Sequence, residues 1–224
     1  MSTQTALLIF ARTASEESKH KSFKASKSFF EYQNKKTLQF VQKTGHDYFW
    51  IDEHQQIGSN FADRYLNAIQ SVFDKGYEQV ISIGNDSPSL EANHIQLAIE
   101  MLQHKDMCFG PSKDGGFYLW GVKKEHFKKE NYFNLGWNTS TLLTNFYSLL
   151  QNRFISVGFI QKLGDLDVRE DAFQLLQNEK LDFSLRLILL QITSEKKHLF
   201  SFYQSDLTSK TSNVYYNKGS PLAA

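Results

Sequence analysis

Short apolar runs broken by turn residues recur along the chain. ALLIF from Ala6, YFWI from Tyr48, QVISIG from Gln79, MCFGP from Met107, FYLWGV from Phe117 and FISVGFI from Phe154 each have the length of a strand. Several are apolar without interruption, which suits strands covered on both faces. The segments between them carry helical spacing. Phe61, Tyr65, Ile69 and Phe73 share one helix face that stops at Gly76, and Ile95, Ile99 and Leu102 do the same further on. Leu142, Leu143, Phe146, Leu149 and Leu150 predict another helix, with Thr139 or Ser140 as its cap. Strand thus alternates with helix, the order of a largely parallel sheet with helices on both faces.

Two regions depart from this rhythm. Ser15 to Lys43 is rich in Lys and Ser with Phe23, Phe29, Phe30, Leu38, Phe40 and Val41 interspersed, and reads as a loop followed by a helix. From about Ser194 the chain turns polar and ends in VYYNKGSPLAA, read as a hairpin or a partly ordered extension over 194–224, after a main domain over 1–193. Tyr215 and Tyr216 in this extension are candidates for packing on a second copy in a homodimer.

Composition narrows the partners. With 224 residues, 41% apolar and 22% charged, the chain can bury one sizeable core. Its net charge of +1 supplies no field for a polyanion, so nucleic acid is not expected. The single cysteine, Cys108, lies between Met107 and Phe109 and reads as a buried, inert thiol. The run from Ala6 to Phe10 lacks a basic leader, and no stretch reaches membrane-spanning length, so a cytoplasmic protein without membrane insertion is expected.

Ligands of open α/β sheets bind beyond the carboxyl ends of the strands, so polar residues directly after apolar runs are the candidates for chemistry. In IGNDSPSL from Ile83, Gly84 turns the backbone, Pro88 fixes the exit, and Asp86 is placed to meet a divalent cation; turn chemistry alone also explains these residue types. In GPSKDGGFYLWG from Gly110, Asp114, Gly115 and Gly116 allow a close backbone approach to a ligand, and equally form a plain hairpin turn. In LGDLDVREDAF from Leu163, Asp165 and Asp167 are potential metal ligands together with Asp86, but Asp167 with Glu170 also forms a capping box.

Together and in this order, the segments resemble the DUF2064 family, whose pattern runs from an LGxR helix through IGxDxPxL, GPxxDGGxYLxG and a Trp followed by Ser/Thr to DxDxxxD. The corresponding stretches here are IGSNFADRYLNAI from Ile57, IGNDSPSL, GPSKDGGFYLWG, WNTSTLL from Trp137 and DLDVREDAF from Asp165. The resemblance spans about residues 5 to 178. It implies a Rossmann-like GT-A (nucleotide-diphospho-sugar transferase) three-layer α/β fold with a mostly parallel sheet. It also implies a nucleotide or nucleotide-sugar ligand over the carboxyl edge, an acceptor of unknown kind, and Mg²⁺ or Mn²⁺ at its phosphates. Carried over, Asp86, Asp165 and Asp167 are the metal acids. Asp114, Gly115, Gly116 and Trp137 line the sugar or acceptor side, with Asp114 as base or hydroxyl acceptor, and Arg64 is the basic residue of the LGxR helix.

One segment differs from the family pattern. Where the family has FxKxPxxGxxKTR, this chain has FARTASEESKHKSF from Phe10, with neither Pro nor Gly. Arg12 stands in for the first Lys, Lys19 or Lys21 for the later cations, and Glu16 and Glu17 add negative charge. Three functions stay open: glycosyl transfer from a nucleotide-activated sugar, nucleotidyl transfer to a phosphorylated acceptor, and a ligand-binding scaffold that has lost catalysis.

Overall fold

A computed structural model describes residues 4–177 and 181–194. Six strands form one sheet in the order β2-β1-β3-β5-β4-β6: β1 (Thr5–Phe10), β2 (Asp47–Ile51), β3 (Gln79–Ile83), β4 (Met107–Pro111), β5 (Phe117–Lys123) and β6 (Val157–Phe159). Only β5 runs antiparallel to its neighbours, so the other five strands end at one edge. The α/β, mostly parallel sheet expected from the sequence is what forms.

Period-two alternation distributes the core. Ala6 and Leu8 of β1, Met107 and Phe109 of β4, and Trp120 and Val122 of β5 face α3 (Phe61–Phe73) and α5 (Leu142–Gln151). Leu7, Ile9, Ile81, Ile83, Cys108 and Leu119 face the other side, where α2 (Ser26–Lys43) and α4 (Ala92–His104) pack. Burial pushes the Cys108 thiol up to about 12, against a hydrogen bond from the Gly121 backbone, so it is the inert thiol expected. A smaller cluster joins Phe29 and Phe30 of α2 to α6 (Arg169–Leu176) and α7 (Phe183–Thr193).

Three details differ from the sequence reading. The stretch after β1 is no loop: α1 spans Ala14–His20, because Thr13 caps it and is itself held by Glu53, whose oxygens accept from its backbone N–H and its hydroxyl, each at 2.7 Å. The helix at Leu142 starts after Thr141 with no side-chain cap, while Thr139 donates to the Gly136 carbonyl. At α6 the capping carboxylate is Asp171, which accepts from the N–H groups of Asp167 and Val168, each at 2.9 Å. Asp167 is therefore free of the capping role that its spacing to Glu170 suggests. The extension expected over 194–224 lies, apart from Ser194, outside the described residues. Among the described residues no helix is long and apolar enough to cross a membrane.

Candidate functional site at the carboxyl edge of the sheet

A run of backbone hydrogen bonds stitches residues 160–166 across the carboxyl edge. The N–H of Ile160 donates to Phe109 at 2.9 Å, that of Leu163 to Pro111 at 3.0 Å, and that of Leu166 to Asp86 at 2.9 Å. This path leads from the end of β4 to the turn after β3, and it carries Asp165 and Asp167 to Asp86. Tyr118 reinforces it by donating its hydroxyl to the Gln161 carbonyl at 2.8 Å.

Asp86 and Asp167 meet at one cation. The ammonium of Lys21, just past α1, lies 2.6 Å from Asp167 Oδ1 and 3.2 Å from Asp86 Oδ2, with Glu17 Oε1 at 4.0 Å. Its side chain is only 16% exposed and passes over the Phe30 ring at 5.6 Å. Burial opposes the charge on Lys21, but the carboxylates of Asp86 and Asp167, and then Glu17, outweigh it and raise the ammonium above its ordinary range. Glu17, which in the sequence looks like added repulsion, also accepts from Arg12 at 3.2 Å.

Asp165 and Asp114 have different surroundings. Burial, together with the charges of Asp86, Asp114 and Asp167, pushes Asp165 up to about 7, while a hydrogen bond from the Ser87 hydroxyl pulls it down. Asp114 Oδ1 accepts from the Ser112 hydroxyl and from the Gly116 N–H at 3.0 Å, which shapes the turn between β4 and β5. Among the described residues, no group of three or more His, Cys, Asp or Glu side chains is arranged to hold a metal ion.

A cleft of about 510 Å³ opens over this edge. Its lining combines the charged residues Arg12, Glu17, Asp86, Asp114 and Asp165 with an aromatic side formed by the mutually packed rings of Phe61, Tyr65, Phe117 and Trp137. Trp137 is part of both core and wall: its ring lies 5.5 Å from that of Tyr65, and its indole N–H donates to the Tyr132 carbonyl at 2.7 Å. A smaller hollow of about 230 Å³ shares Asp114 and Asp165 with the cleft and adds Lys113 and Asp167.

Other expected residues sit elsewhere. Lys19 pairs with Glu16 at 2.6 Å on the exposed side of α1, and Arg64 does not line the cleft. Gly116 lines the cleft, but Gly115 is needed for packing. Its φ is +96°, and a Cβ there would meet the Ser140 carbonyl oxygen at 1.9 Å. Glu17, Glu53, Ser87 and Ser112 shape the site without having been singled out as candidates. Ser87 and Ser112 lie inside the two turn motifs and could have been found there. Glu53 has no local signal, because its partner Thr13 is remote in the chain.

One solved structure shares this architecture. At 20% identity, a structure described as a "putative nucleotide-diphospho-sugar transferase from Desulfovibrio desulfuricans G20" covers 84% of this chain and 94% of its own, with a TM-score of 0.69. The 4-diphosphocytidyl-2C-methyl-D-erythritol synthase of Anaerococcus prevotii DSM 20548 matches at 8% identity over 89% of this chain and 98% of its own, with a TM-score of 0.47. A CMP:2-keto-3-deoxy-manno-octonic acid synthetase complexed with CTP matches at 11% identity over 77% and 96%, with a TM-score of 0.45. No curated protein matches the chain. Residues 31–139 match the family described as "Uncharacterized protein conserved in bacteria (DUF2064)", a span that holds the IGNDSPSL and GPSKDGGFYLWG motifs and ends before Asp165. Through this span the chain resembles the DUF2064 family, on a nucleotide-diphospho-sugar transferase fold.

Proposed function

We propose that this chain is a transferase acting on a nucleotide-activated sugar bound in the cleft over the carboxyl edge. The observation that carries this reading is the meeting of Asp86 and Asp167 at a single cation beside that cleft. Two carboxylates from distant parts of the chain at one cation amount to a position for positive charge, and the Lys21 ammonium is its stand-in ion. The small number of acids suits Mg²⁺ or Mn²⁺, since Mg²⁺ commonly takes one or two carboxylates and completes its shell with water and substrate phosphates. A divalent ion held by Asp86 and Asp167 would neutralise charge building on a departing diphosphate.

The remaining roles belong to the chain itself. Arg12, held by Glu17, faces the cleft as a charged donor for phosphate oxygens. The aromatic side offers flat apolar surface to a base or a sugar face. Asp114, with Oδ1 fixed by Ser112 and Gly116, presents its other oxygen to an acceptor hydroxyl.

A thermal-shift screen of nucleoside diphosphates, triphosphates and nucleotide sugars, each with and without Mn²⁺, tests the proposal. One class should raise the melting temperature by about 5–10 °C at a hundred-fold excess over Kd, with metal only, and Asp86→Asn should abolish the rise. No response to any class would leave the ligand-binding scaffold as the better account. A response to triphosphates alone would favour nucleotidyl transfer.

A further inference from the structure

The Lys21 ammonium occupies the position where a divalent ion would sit. It bridges Asp167 at 2.6 Å and Asp86 at 3.2 Å, is largely buried, and is anchored by its backbone N–H, which donates to the Glu17 carbonyl at 2.9 Å. An ion arriving alone would have to displace a charge already held by both carboxylates, and among the described residues no group of three acids is arranged to hold it. The cleft has its own difficulty with an anion. Beside the Arg12 guanidinium its lining includes the carboxyls of Glu17, Asp86, Asp114 and Asp165, so a diphosphate arriving alone meets an excess of negative charge.

Each obstacle is removed by the other ligand. A diphosphate brings oxygens to complete a metal's shell and a new acceptor for the Lys21 ammonium, whose four-carbon stem lets it swing. A divalent ion brings the charge the diphosphate lacks. We propose that Lys21 is a built-in placeholder cation: it keeps free divalent ions out of the Asp86–Asp167 position and yields it only when metal and diphosphate arrive together. The exclusion rests on the Lys21 contacts alone; the handover rests on the nucleotide reading above.

Ultrafiltration with Mn²⁺ measured in the protein-containing fraction separates the two parts. Wild-type protein should retain little Mn²⁺ supplied alone. Lys21→Met and Lys21→Gln should retain it about ten-fold more tightly, Lys21→Arg should behave as wild type, and adding Asp86→Asn to Lys21→Met should remove the gain. Mn²⁺ with inorganic pyrophosphate should be retained by wild-type protein. Equal retention of free Mn²⁺ by wild type and both neutral variants would overturn the exclusion. A gain in those variants with no effect of pyrophosphate on wild type would overturn the handover and leave the exclusion standing. Should neither neutral variant fold, as judged by circular dichroism, the wild type decides: stoichiometric retention of free Mn²⁺ at micromolar concentration refutes the exclusion, and retention that appears only when pyrophosphate is added supports it.

Discussion

The backbone N–H of Leu166 donates to the carbonyl of Asp86 at 2.9 Å, and this bond fastens the segment after β6 to the turn after β3. The Leu166 side chain is fully buried in the cluster with Phe29 and Phe30 of α2. One residue therefore couples the position of Asp167 to the packing of a helix on another part of the chain. Leu166→Ala should lower the unfolding free energy by about 2–4 kcal/mol and weaken Mn²⁺-dependent ligand binding beyond the loss of folded protein. Denaturant unfolding and calorimetry on the folded fraction measure the two effects separately.

The two adjacent glycines of the β4–β5 turn should respond differently. Gly115 has φ +96° and its missing Cβ would meet the Ser140 carbonyl oxygen at 1.9 Å, so Gly115→Ala should destabilise by about 3 kcal/mol or more. A Cβ on Gly116 would approach Ser112 Oγ and Asp114 Oδ1 at 3.2 and 3.3 Å, contacts that small side-chain shifts relieve. Gly116→Ala should therefore cost about 1 kcal/mol or less and act mainly on ligand affinity, because Gly116 faces the cleft.

Much of this arrangement is legible in the sequence, and the parts that are not share a cause. The strands announce themselves because burial on both faces demands unbroken apolar runs, as in QVISI of β3. The two turn motifs mark where Asp86 and Asp114 come to lie, and DLDVREDAF marks Asp165. Helix α1 stays hidden because ASEESKH carries no apolar face; the Thr13 cap has a local signal in its spacing to Glu16, but Glu53, which holds Thr13, is forty positions away in the chain. The pairing of Lys21 with Asp86 and Asp167 is equally silent in sequence. It depends on where a seven-residue helix ends in space, which neither periodicity nor local spacing encodes.

Because Glu53 fixes the start of α1, it also fixes where Lys21 emerges. Burial works against the charge on Glu53, but the hydroxyl and backbone N–H of Thr13 overcome it and hold this carboxyl below its ordinary range. Glu53→Ala should speed amide exchange across residues 14–21 by about ten-fold, leaving β3 unchanged. The same variant should retain more free Mn²⁺ than wild type, since Lys21 is then less firmly placed.

At the opposite end of the sheet, Asp106 supplies a pH dependence that owes nothing to ligand. Burial is the largest single influence and raises its pKa, but the Ser156 hydroxyl at 2.7 Å and N–H at 2.8 Å, with His126 and Lys123 nearby, together outweigh it and hold the carboxyl below the ordinary value of 3.8. With a depressed folded value, the unfolded chain binds the proton first, so this contribution is full above about pH 4 and is lost as pH falls through the folded value. Asp106→Asn should lower stability at pH 7 by roughly 1 kcal/mol, a modest figure because the carboxylate is partly exposed. The gap between wild type and variant should narrow in acid, as followed by thermal unfolding from pH 7 to pH 3.

The most direct measurement is a crystal structure grown with Mn²⁺ and whichever nucleoside diphosphate gives the largest thermal shift. Anomalous scattering should place the manganese between Asp86 and Asp167, with the Lys21 ammonium turned to a phosphate oxygen and the base or ribose against the Trp137 side of the cleft. A cleft without nucleotide, with Lys21 still bridging the two carboxylates and the manganese elsewhere, would contradict the account.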